Sequence, residues 1–234
     1  GRAGRLGPGV CYRMWNSTTQ HRMAAHRTPE ILEADLASLV LDLAQWGIRD
    51  AAQLTWLSPP PQGALAQADE LLHDLQALEH GQLTEHGKAI HQLPYHPRLA
   101  HLLLFAREEG LEALATDLAA LLEERDPLAR DSGIDINLRI EALRRHRREK
   151  RNDRRMNTIA KVAQSYRQML NISEDNRDFS DLDTGLLLTQ AYPERIAHSR
   201  PGNNAQFKLA NGNLAMAGHK DDLAFEPWLA IAHL

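Results

Sequence analysis

Apolar residues recur along this chain at three- and four-residue spacing, in stripes that glycine or proline closes. Leu32, Leu36, Leu39, Val40 and Leu43 draw the first stripe. Thr28 stands where an N-cap belongs, Pro29 at the first helical position and Gly47 where a helix ends. Trp56-Leu57-Ser58-Pro59-Pro60-Pro61 is a rigid extended connector, because three successive prolines cannot join a helix interior. Leu65, Ala68, Leu71, Leu72, Leu75 and Leu78 predict a second helix closed by Gly81. From Gly81 to Ile90, two glycines surround a short capped segment, and helices followed by such a unit suit a winged helix.

Pro94 and Pro97 mark the next boundary. Leu99, Leu102, Leu103 and Ala106 form a helical face ending at Gly110, and Leu111, Leu114, Ala115, Leu118, Leu121 and Leu122 form another, stopped by Asp126-Pro127. A longer helical stretch is expected over about 136–170, with Ile140, Leu143, Ile159, Val162, Tyr166 and Met169 facing the core. Ser173 to Asp183 is polar and reads as a loop. Gly185 to Pro193 reads as a short helix that the proline stops, and Gln206 to Met216 as a hairpin around Asn211-Gly212. Val10 to Trp15 has the β-prone character of a short strand, and Trp228 to His233 reads as an edge strand of an incomplete last domain. No internal repeat is visible. The predicted fold class is mainly α: a winged-helix domain, then a helical bundle, with a partial β-containing C-terminal domain.

Composition narrows the picture. The 234 residues are 43% hydrophobic and 25% charged, as in globular rather than disordered chains. No apolar run approaches the roughly 20 residues needed to cross a bilayer, so no membrane partner is expected. One cysteine, Cys11, excludes an internal disulfide and fits a reducing cytoplasm. The net charge of −4 means that any nucleic-acid contact must be local. Aromatics, at 5%, are too few for a surface of base-stacking platforms.

Two segments carry candidate chemistry. The chain opens Gly1-Arg2-Ala3-Gly4-Arg5, two arginines three residues apart among small residues. Glycine lets backbone pack close to a ligand, and each guanidinium is a planar fork that matches phosphate oxygens. The second is the basic run from Arg144 to Arg155. Read as one helix, it is either a solvated face braced by Glu149 and Asp153, or a phosphate-contacting ridge of Arg144, Arg147, Arg148, Lys150 and Arg151. His86, His91, His96 and His101 recur every five residues, the wrong step for one helical face, and prolines interrupt them, so no metal site is assigned. Glu123, Glu124 and Asp126 are explained by helix termination, and no Ser-His-Asp or Cys-His set can be proposed. A Gly-x-x-x-x-Gly-Lys-Ser/Thr loop and an Asp-Glu-Ala-His box are both absent from the sequence.

The opening resembles the tail of the Gln-Arg-x-Gly-Arg-x-Gly-Arg motif of DEAH-box RNA helicases. Thr28-Pro29-Glu30-Ile31 through Gly47-Ile48, Leu83-Thr84-Glu85-His86-Gly87 and Leu93 to Ala100 are similar to winged-helix and ratchet signatures of that family. Gly185 to Ala197, Leu209-Ala210-Asn211-Gly212 and Pro227-Trp228-Leu229 are similar to its bacterial HrpB branch. The resemblance implies four parts: residues 1–27 as the tail of a second RecA-like domain, 28–92 as winged helix, 93–172 as ratchet bundle and 173–234 as the start of the HrpB-type C-terminal domain.

It also implies RNA-stimulated hydrolysis of ATP with Mg2+, held mainly by RecA-like domains upstream in the same chain. Arg2 and Arg5 match the family's arginine fingers, with Gly4 beside them at the nucleotide. Single-stranded or structured RNA is the implied partner, and this segment alone is expected to hydrolyse no ATP. The alternative is a winged-helix module that binds nucleic acid or a protein partner without ATP chemistry.

Overall fold

A computed structural model describes residues 4–24, 26–129, 131–202, 205–218 and 220–233. Its first apolar stripe is split. Pro29 leads only a 3-10 turn over Glu30–Leu32, and helix α2 (Ala37–Gln45) starts where the Asp35 carboxylate accepts from the Ala37 backbone N–H at 2.8 Å. The expected start at Thr28 is corrected accordingly, since an aspartate two residues ahead of the helix supplies the acceptor that its first turn lacks. A short helix α1 (Ser17–Arg22), capped by Asn16, precedes it. Val10 to Trp15 forms no strand: Val10 is 77% exposed, Tyr12 84% and Met14 92%, and no described residue pairs with their backbone.

Helix α3 (Gln62–Asp74) stops short of Leu78, because Gln76 turns into the left-handed region at φ 57°. Leu78 lies instead on strand β1 (Leu78–Glu79), which pairs with β2 (Gln82–Leu83) through His80 and Gly81. Thr84 then starts α4 (Glu85–Gln92). Its hydroxyl accepts from the Gly87 N–H at 2.8 Å and donates to the Gln76 carbonyl at 2.7 Å. Gly87 is required by proximity: a Cβ there would lie 2.1 Å from the Ala77 carbonyl oxygen. Leu36, Leu41, Leu72, Leu75, Leu78 and Ile90 bury themselves between these elements as one apolar cluster.

Pro97 opens α5 (Pro97–Glu109), and Gly110, left-handed at φ 69°, closes it, as the sequence predicts. Helices α6 (Glu112–Glu123), α7 (Ile136–Glu149), α8 (Arg154–Leu170) and α9 (Asp181–Ala191) complete the bundle. Its core holds Leu102, Leu103, Leu118, Ile140, Leu143, Ile159, Tyr166 and Leu187. The helical stretch expected over 136–170 consists of two helices. Lys150 turns left-handed at φ 50°, and the Asp153 carboxylate caps α8 by accepting from Arg155 and Met156. No apolar stripe crosses this stretch to hold a continuous helix against the core. Met169, expected in the core, is 49% exposed. Helix α9 starts earlier than expected, at a capping box of Ser180 and Asp183.

Four short strands follow: β3 (Ile196–Ser199), β4 (Gln206–Leu209), β5 (Leu214–Met216) and β6 (Trp228–Ala230). They form one antiparallel sheet in the order β5-β4-β3-β6, with Ala197, Phe207 and Leu209 buried beneath it. The expected hairpin turns at Gly212 (φ 87°), and β6 is an edge strand. Strand β3 has no counterpart among the sequence expectations. The sheet is tied to the bundle by Arg98 of α5, which donates to the Ala191 carbonyl at 2.8 Å and to both Glu194 oxygens at 3.0 and 2.8 Å. Mainly helical with a small sheet, the structure has the expected fold class. None of the helices among the described residues is long and apolar enough to cross a membrane.

Candidate nucleotide and nucleic-acid contacts

The described part of the opening segment, from Gly4 onward, is exposed. Arg2 lies outside the described residues. Gly4 takes φ 81°, with nothing within 4 Å of where a Cβ would stand. Arg5 is exposed and makes no ion pair among the described residues. Its guanidinium is therefore available to an oxyanion brought from elsewhere, while the phosphate cradle and the metal carboxylates are absent from this sequence.

The basic run divides into an inner and an outer set, which corrects the picture of a solvent-facing ridge. Arg144 is buried on α7. Its Nε donates to Asp117 Oδ2 at 3.1 Å, and its guanidinium carbon lies 4.8 Å from the Phe179 ring centre. Arg147 spans both Asp117 oxygens at 2.5 and 2.8 Å and reaches Asn176 Oδ1 at 2.7 Å. Arg167 of α8 adds a third contact to Asp117, at 3.2 Å. Asp117 itself, on α6, has no exposed surface. Neither Arg144 nor Arg147 can reach a phosphate in solvent.

Arg148, Lys150 and Arg151 are exposed around the α7–α8 turn, beside Arg145, Arg154 and Arg155. Arg151 pairs with Glu149, so one of the two expected bracing carboxylates acts across the turn and the other, Asp153, serves as a cap. The outer set is a smaller patch than the run suggested, but the break in the helix concentrates it at one end of the bundle.

Asp117 is the residue that sequence reasoning missed. Its signal was available: it falls between Leu114 and Leu121 on the buried face of a helix that is otherwise apolar there. A carboxylate is costly in that place unless cations accompany it.

The four evenly spaced histidines serve separate contacts. His91 Nε2 lies 2.9 Å from Asp42 Oδ1, and His96 Nε2 lies 3.4 Å from Asp35 Oδ2. His86 Nε2 lies 2.7 Å from His101 Nδ1, whose Nε2 is 3.3 Å from Gln190 Oε1. With Gln190 accepting, His101 carries its proton on Nε2 and takes the His86 proton at Nδ1. Burial first, and the His86 ring second, lower the His101 pKa to about 4. Asp126, read above as helix termination alone, also accepts from Arg139 at 2.9 Å.

No protein-family model matches the chain. The ATP-dependent RNA helicase HrpB of Escherichia coli is 34% identical over 230 residues, covering 98% of this chain and 26% of HrpB. The probable ATP-dependent RNA helicase DHR1 of Saccharomyces cerevisiae is 33% identical over 139 residues, covering 58% of this chain and 11% of DHR1. Two crystal structures of E. coli HrpB, described as a DExH-box NTPase and as a DEAH/RHA helicase, match with TM-scores of 0.69 and 0.70 at 34% identity. They cover 97% and 96% of this chain, which spans 26% of each HrpB chain. In sequence and in backbone, this chain is thus similar to one segment of E. coli HrpB. The likeness runs through almost the whole of this chain, which spans 26% of HrpB's own length.

Proposed function

We propose that this chain is the C-terminal part of an ATP-dependent RNA helicase, and that it supplies arginine fingers together with domains that close an RNA channel. The observation that carries the reading is the match to E. coli HrpB, in sequence and in backbone, through nearly every residue of this chain. The division into 1–27, 28–92, 93–172 and 173–234 belongs to the same proposal, as do a cytoplasmic location and RecA-like domains upstream in the whole protein.

In this reading Arg2 and Arg5 approach the γ-phosphate of ATP held with Mg2+ by those upstream domains. The exposed residues from Gly4 onward, and Arg5 with no ion pair among the described residues, fit that task. Bound ATP and its metal supply the phosphoryl group and most of the charge neutralisation. Arg5 adds a positive charge where negative charge grows, an effect worth about 10³–10⁵ in rate for such fingers. At Gly4 nothing stands within 4 Å of where a Cβ would be, which leaves room for a close approach. The exposed set at Arg148, Lys150 and Arg151 would then hold the RNA backbone through local, salt-sensitive contacts.

Steady-state ATP hydrolysis by the intact gene product, with and without single-stranded RNA, tests the reading beside an Arg5→Ala variant. RNA-stimulated turnover that collapses in the variant is expected, with no hydrolysis by the 234-residue chain alone. Turnover that is absent from the intact protein, or indifferent to Arg5, would leave a nucleic-acid-binding or partner-binding module.

A further inference from the structure

The sheet shows two chemically different faces. Ala197, Phe207 and Leu209 point inward to a buried cluster. Their neighbours point outward, and the register lines them up: Trp228 on β6 stands opposite His198 on β3, His198 opposite Lys208 on β4, and Lys208 opposite Leu214 on β5. Trp228 is 62% exposed, and its ring meets the His198 ring at 4.4 Å between centres with a 62° tilt. Arg200 is exposed just beyond the end of β3, where its backbone N–H donates to the Gln206 carbonyl. A hollow of about 410 Å³ opens among Trp228, His198, Arg200, Pro201 and Lys208.

We propose that this outward face is a seat for one unpaired base of a single-stranded nucleic acid, stacked on Trp228 beside His198, with Lys208 and Arg200 taking the flanking phosphates. The proposal rests on the helicase reading for its choice of ligand, and on charge for its choice between occupants. The strand positions that face outward here carry Lys208, His198 and the neighbouring Arg200 but no carboxylate, in a chain whose net charge is −4. A flat π-face ringed by cations suits a base between two phosphates, because every base presents such a face and every linkage an anion. An apolar protein helix would offer Lys208 and Arg200 no anion. The low aromatic content argues against a row of such seats.

The test is fluorescence anisotropy of the 234-residue chain with a labelled oligouridylate and with an equally charged oligonucleotide that is abasic throughout. Trp228→Ala should weaken oligouridylate binding roughly ten-fold, Trp228→Phe should keep most of the affinity, and neither should alter abasic binding. Lys208→Ala should weaken both ligands and reduce the salt slope by about one. Trp228 is largely exposed, so its variants should keep the wild-type circular dichroism. Unchanged oligouridylate affinity in Trp228→Ala, or an equal loss for both ligands, overturns the proposal. A change of sedimentation in Trp228→Ala without a change in oligonucleotide binding would give the face to a protein partner and overturn it equally. RNA-stimulated ATP hydrolysis of the intact protein is independent of these results, so the seat can fail while the helicase reading stands.

Discussion

Three guanidiniums converge on the one carboxylate of Asp117, drawn from two helices, with their side chains almost wholly withdrawn from water. Glu174 adds a half-exposed second carboxylate, 3.7 Å from Arg147 and 3.5 Å from Arg167. Replacing Asp117 by asparagine preserves the shape and one acceptor but strands the buried cations. Asp117→Asn should cost roughly 3–5 kcal/mol, as removal of one partner from a buried ion pair does. The urea midpoint measures it, and a loss below about 1 kcal/mol would mean that the arginines find water instead. At this scale the sequence was legible in part. Thr84, Pro97 and Gly110 act as their residue types predict, because capping and φ preference are local. Asp117 was hidden because its partners lie 27 to 50 residues away in the chain.

Helix α7 combines two jobs on opposite sides. Arg144 and Arg147 point inward to Asp117, whereas Arg145 and Arg148 point outward. Charge counted along the sequence does not separate these sets, but the helical period does once one neighbour is known. A double Arg148→Glu, Arg151→Glu change should therefore weaken RNA binding and flatten its dependence on salt, with the melting temperature nearly unchanged. Arg147→Glu should instead unfold the bundle. Binding and salt slope that stay constant in the double variant would remove the α7–α8 turn from the RNA path. The same reasoning explains the misread elements. The break at Lys150 within the helical stretch over 136–170 was not legible because a polar stretch carries no apolar period. Val10 to Trp15 failed as a strand because β-propensity describes a fit to a partner, and none is present among the described residues. Strand β3 escaped notice because four residues are too few to show an alternation.

Across the molecule, histidines and acids join the α2–α4 region to the bundle: Asp35 with His96, and His86 with His101 and Gln190. Their titrations occupy separate pH windows. Burial and the His86 ring hold His101 down to about 4, against about 6.5 for a free histidine. Burial also lowers His86, against the pull of Glu108. Between about pH 6.5 and 4 the unfolded chain binds a proton that the folded chain refuses, so stability falls as the pH drops. Hydrogen bonding to His96 holds Asp35 at about 2, so its contribution is full above the ordinary carboxylate range and is lost only as the pH falls from about 4 to 2. Urea midpoints at pH 7, 5.5 and 4.5 should decline for the wild type and decline less for His101→Gln. Parallel declines would place the proton uptake elsewhere.

The grip of Arg98 on Ala191 and Glu194 has a mechanical consequence. A planar fork held at both tines, and anchored a third time to the end of α9, resists twisting as a single bond would not. The linker from Ala191 to Glu194 therefore cannot serve as a swivel while that grip lasts. A pull applied to the sheet is delivered to α5 as torque, and the two turn as one piece.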